Sequence, residues 1–90
     1  MWTVEEHDAL DRKWQRLPRQ VLKKYELWKS LVRYNGPQIL RTFPGFHDES
    51  LKGTWRGFRS SRLNIQYRVI YRVMEQGKCV RVDDIVAHTY

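Results

Sequence analysis

The sequence predicts an α+β fold: two N-terminal helices packed on one face of a small, mainly antiparallel sheet. Three observations predict it. Apolar residues recur at helical spacing through the first third of the chain. From residue 63 the spacing changes to strict alternation. The stretch Leu51–Met74 then carries six basic residues (Lys52, Arg56, Arg59, Arg62, Arg68, Arg72) and no acid. One face of such a sheet is core, and the other presents guanidinium groups that suit phosphate.

Each element follows in order. Trp2–Glu5 reads as a short first strand. Asp8 is placed to cap a short helix whose Leu10, Trp14 and Leu17 lie three and four apart. Pro18 suits the first turn of a second helix. There Val21, Tyr25, Trp28 and Val32 form a stripe widened by Leu22 and Leu31, and Asn35-Gly36-Pro37 ends it. Residues 37–50 read as an irregular connection, the kind of long loop that is often functional. Thr54–Arg59 is expected as a strand, Ser60-Ser61 as a turn, and Leu63–Val73 as the long strand.

Within that long strand Leu63, Ile65, Tyr67, Val69, Tyr71 and Val73 point inward. Asn64, Gln66, Arg68 and Arg72 point outward, with Ile70 the apolar exception. Glu75-Gln76-Gly77-Lys78 connects to a last strand, Cys79–Val86, with Val80 and Val82 inward and a break at Asp83-Asp84 from a bulge or the strand's end. Trp14, Trp28, Trp55, Tyr25 and Tyr71 read as core. No repeat or second domain is visible, so residues 1–90 form one domain.

A formal charge of +7 and a pI near 9.9 point to an anionic partner, most simply nucleic acid. Charge alone leaves open a solubility role or an acidic protein partner. The lone Cys79 excludes an internal disulfide and fits a reducing compartment. No apolar run approaches membrane-spanning length and no signal-peptide layout is present, so a cytoplasmic location and no membrane partner are expected. His7, His47, His88 and Cys79 lack ligand spacing, and no metal site or cofactor is expected.

The segment Leu51-Lys52-Gly53-Thr54-Trp55-Arg56-Gly57-Phe58-Arg59, then Tyr67-Arg68-Val69-Ile70-Tyr71-Arg72-Val73 and a closing His88-x-Tyr90, resembles the middle strands and ending of the RelE/ParE toxin superfamily. The likeness is specific from Glu49 onward. It implies a toxin of a type II toxin–antitoxin system with a microbial ribonuclease-type fold. The implied activity is metal-independent, ribosome-dependent cleavage of mRNA in the decoding site, which inhibits translation. In that chemistry the substrate's 2′-hydroxyl attacks the adjacent phosphate and the 5′-oxygen leaves, requiring a base, an acid and cations around the phosphorane.

On that resemblance the catalytic candidates are Glu49, Arg68, His88 and Tyr90. Arg68 is assigned to the scissile phosphate, the alternative being a surface pairing with Asp83 or Asp84. His88 is the acid candidate, and Tyr90 would stack on a base or orient the phosphate. Glu49 occupies the position of a glutamate base in one ribonuclease branch, whose Glu-Pro-Leu-Lys motif has Ser50 in place of proline here. His47 is the alternative base. Another branch's histidines have Glu49, Arg62 and Gln66 in their places, so its multi-histidine mechanism does not carry over. Lys52, Arg56, Arg59, Arg62 and Arg72 are the RNA-binding candidates, although strand alternation would keep the first three and Arg62 from sharing one face. The implied partners are mRNA, ribosomal RNA and a cognate antitoxin. The competing readings are a ParE-like gyrase inhibitor without catalytic residues and an inactive basic binding module.

Overall fold

The structure, a computed structural model, describes residues 1–87; the candidates His88 and Tyr90 lie outside the described residues. The chain builds a five-stranded sheet in the order β1-β5-β4-β3-β2, where β1 is Thr3–Glu6, β2 Glu49–Ser50, β3 Arg59–Arg62, β4 Tyr67–Met74 and β5 Cys79–Ala87. All neighbours pair antiparallel except β1, which runs parallel to β5 with Thr3 opposite Cys79. Among the described residues a single α-helix, α1 (Arg19–Asn35), packs on one sheet face.

The expected α1 stripe is the buried one: Val21, Tyr25, Trp28 and Val32 are all enclosed. Gly36 caps the helix at φ +86°, returning its N–H to the Val32 carbonyl. A Cβ there would stand 2.7 Å from the Gln38 side chain and 2.8 Å from Trp2 Nε1, so only glycine fits. Against α1 the sheet sets Ser61, Val69, Tyr71, Val80, Val82 and Ile85. Aromatic rings run through the core from Trp14 over Tyr25 and Trp28 to Tyr71, with centroids 5.5, 5.8 and 5.2 Å apart.

Several expectations are corrected. The first helix is instead two short 3-10 turns, Asp8–Arg12 and Trp14–Arg16, with His7 rather than Asp8 as the cap. Pro18 forces Leu17 into extended backbone and leaves too few residues for a stable α-helix. Leu10 is still buried, and Trp14 and Leu17 still pack on the core. The expected strand 54–59 is mostly a turn: Gly53–Trp55 is 3-10, and Gly53 and Gly57 take φ +68° and +95°. Trp55 is therefore 43% exposed rather than core. Ser60-Ser61 is no turn but the buried middle of β3, and the long strand starts only at Tyr67, leaving Ile65 exposed in the β3–β4 turn.

The break near Asp83 is a bulge. Ile70 faces Asp84 while Tyr71 faces Val82, so Asp83 is the extra residue.

Candidate functional site

Alternation along β4 sends Arg68, Ile70 and Arg72 to the face turned away from α1. Cross-strand pairing adds Arg62 opposite Arg68, and Arg81 opposite Arg72. Glu49 on β2 joins them through its pairing with Ser60, which faces Ile70. The Arg68 guanidinium, 17% exposed, meets Glu49 Oε1 at 3.2 Å. Neither expected surface partner takes Arg68, since Asp84 instead accepts from Lys13 Nζ at 2.6 Å. A carboxylate and a guanidinium from two strands thus share one exposed patch.

The cations around this pair are not all neutralised. Among the described residues the buried Arg62 Nε, Arg72 Nε and Ser60 Oγ have no hydrogen-bond partner. Buried donors without acceptors are costly in a native protein. The three arginines that share this face, Arg62, Arg68 and Arg72, make it attractive to an anion with several acceptor oxygens, such as phosphate.

The expected RNA-binding residues divide. Arg62 and Arg72 lie on the Arg68 face, and the Arg72 guanidinium sits over the Phe58 ring, 5.0 Å from its centre. Lys52 and Arg56 are exposed in the β2–β3 connection, where they line a cleft of about 320 Å³ with Leu51 and Gly53. Arg59 does not join them. It turns to the α1 side and gives Nε and Nη2 to Asp48 Oδ2 at 3.1 and 2.8 Å. Burial opposes its charge, but the bonds to Asp48 and Tyr71 outweigh that and hold its pKa above the ordinary guanidinium value.

Asp48 is the residue that sequence reasoning passed over. Its carboxylate, 1% exposed, also accepts from Ser61 Oγ at 2.8 Å and from the Tyr71 hydroxyl, and Ser61 Oγ accepts from Trp28 Nε1 at 3.0 Å. Burial first, then the Asp48 bond, pushes the Tyr71 phenol well above its usual range. This network ties the loop after residue 46 to both α1 and the sheet, and so fixes the residue that follows, Glu49. His47, the alternative base, is exposed and left-handed at φ 42°, before the anchored carboxylate. The described histidine, cysteine and acidic residues form no group of three or more that could hold a metal ion. No described helix is long and apolar enough to cross a membrane.

Neither a protein-family model nor a curated protein matches the sequence. Solved structures do. YafQ from E. coli superposes with a TM-score of 0.75 at 16% identity, covering 98% of this chain and 94% of that one. RelE in the archaeal RelE–RelB complex from Pyrococcus horikoshii gives 0.75 at 22% identity, covering 96% and 93%. A RelBE-type toxin–antitoxin complex from Mycobacterium tuberculosis gives 0.69 at 19%, covering 97% and 98%. This chain therefore has the fold of the RelE-type toxins, the one its strand motifs implied.

Proposed function

We propose that this protein is the toxin of a toxin–antitoxin pair and an endoribonuclease that cuts mRNA on the ribosome. The observation that carries the reading is the Glu49–Arg68 pair, 3.2 Å apart and set among cations on the face away from α1. In the free protein the two groups satisfy each other. An RNA phosphate entering the patch offers Arg68 a bidentate acceptor and displaces Glu49. The freed carboxylate, 58% exposed, then accepts the proton of the 2′-hydroxyl as its oxygen attacks the adjacent phosphorus. Arg68, with Arg62 and Arg72, stabilises the charge that gathers on the phosphorane.

In this proposal His88 protonates the departing 5′-oxygen and Tyr90 orients the phosphate or stacks on a base. Val86, the partner of Arg68 on β5, lies two residues before His88 in the sequence. Lys52 and Arg56 hold flanking phosphates or ribosomal RNA. The neutralising partner is an antitoxin whose acidic segment covers the same cations. That two of the similar structures are a RelE–RelB complex and a toxin–antitoxin complex supports the existence of a protein partner.

The test is primer extension on messages translated in the presence of wild-type protein and of the Glu49→Gln, Arg68→Ala and His88→Ala variants. Each substitution is expected to lower cleavage by about 10²–10⁴-fold with the fold retained. Unchanged cut sites in the variants reject the assignment. A wild type that halts DNA supercoiling before translation instead supports the gyrase-inhibiting reading.

A further inference from the structure

Trp55 is an indole displayed where the sequence pattern called for core. The β2–β3 connection that carries it is closed by Leu51 N–H to the Phe58 carbonyl at 2.9 Å. Inside that closure, Arg56 N–H reaches the Gly53 carbonyl at 3.1 Å and Phe58 N–H reaches the Trp55 carbonyl at 3.0 Å. The tip is thus a hydrogen-bonded turn with two glycines at positive φ, and it holds an exposed ring at a fixed place. Trp55 meets Phe58 perpendicular at 5.3 Å, so Phe58 leaves at least one indole face uncovered. Phe58 is itself held by Arg72 on the Arg68 face. Arg72, Phe58 and Trp55 therefore make successive contacts from the face that carries Arg68 out to the tip.

We propose that Trp55 is a stacking platform for an unpaired nucleobase of single-stranded RNA. Lys52 and Arg56 bind the phosphates on either side of that base. The proposal deepens the RNA-cleaving reading, because it rests on the same face receiving RNA. A single exposed apolar side chain needs no special explanation. This one differs in its company, since cations flank it and no acid occurs between Leu51 and Met74. That combination suits a ligand with a flat apolar ring beside negative charge, which describes a nucleotide better than an apolar peptide. A platform of this kind accepts any base and so adds affinity and register with little sequence preference.

The test is binding of the full chain to a single-stranded oligoribonucleotide bearing 2′-O-methyl groups, which lacks the attacking hydroxyl. Fluorescence anisotropy of a labelled oligonucleotide reads the affinity. Trp55→Ala is expected to weaken binding roughly 5- to 150-fold, the range for one lost base–aromatic stack. Trp55→Phe should keep most of the affinity, because a phenyl ring still stacks. Trp55→Ala should leave the salt slope unchanged, while Lys52→Ala and Arg56→Ala each reduce it by about 0.7. An abasic position at the stacked base should cost the wild type affinity but cost Trp55→Ala nothing further. If Trp55→Ala binds like the wild type while Arg68→Ala does not, the platform is overturned and the RNA face stands. If Trp55→Ala keeps RNA but loses the neutralising protein, the indole serves a protein and the proposal also fails. No binding by the wild type overturns platform and RNA face together.

Discussion

Replacing Asp48 with alanine should cost this domain a large share of its stability. The carboxylate oxygens accept two bonds from Arg59, one from Ser61 and one from Tyr71, and water does not reach them. Its removal leaves a largely enclosed guanidinium without its counter-charge and two buried hydroxyls without their acceptor. Breaking one side of a buried ion pair costs about 3–5 kcal/mol, against a total near 5–15 kcal/mol for a typical domain. For a domain of this size that is a fall in Tm of roughly 12–40 °C. Urea unfolding followed by tryptophan fluorescence measures it directly. Asp48→Asn, which keeps the shape but not the charge, should lose less, about 1.5–3 kcal/mol. The Asp48→Ala/Arg59→Ala double variant should fall short of the summed single losses by about 0.5–3 kcal/mol. A single-variant loss under about 1 kcal/mol, or strict additivity, refutes the idea that this network holds the loop carrying Glu49.

Alkaline pH should unfold the protein through Tyr71 and Tyr25, whose phenols are both pushed upward, first by burial and then by Asp48 and Glu6 respectively. The unfolded chain gives up these protons near 10.0, the folded one only at higher pH, so stability is intact below that value and falls above it. Circular dichroism against pH should show the loss beginning there, and Tyr71→Phe should flatten it. Gly36→Ala should cost about 1–3 kcal/mol by urea titration, since its φ of +86° strains any residue with a Cβ and a methyl group there would press on the Trp2 indole, 2.8 Å away. Added salt should weaken RNA binding steeply, and salt-insensitive binding would remove the electrostatic part of the proposed function.

The parts of this fold that the sequence revealed are those where one periodicity acts alone. The α1 stripe from Val21 to Val32 is buried on one side only, and the Tyr67–Val73 alternation separates core from arginine face. Elsewhere distant partners decided the outcome. Ser60-Ser61 carries turn-type residues, but Ser61 lies in the core because Trp28 and Asp48, 33 and 13 residues away, satisfy its hydroxyl. Asp48 sits in a polar run that reads as solvated loop, and its partners Arg59 and Tyr71 lie 11 and 23 residues further on. The glycines around Trp55 were the local sign that residues 53–57 form a turn. The alternation of larger residues across them hid it. Of the site, Glu49 and Arg68 came from the motif likeness, and their meeting came from strand register.

The sheet order has a consequence for synthesis. β5 lies between β1 and β4, yet it is translated after every other strand. While it remains in the exit tunnel, β1 has no neighbour to pair with and the β4 edge is bare. Vectorial folding from the N-terminus is thereby blocked, and assembly must await a late, long-range closure. A nascent chain thus emerges without the strand that joins β1 to β4, so its sheet cannot close before Ala87 has left the tunnel.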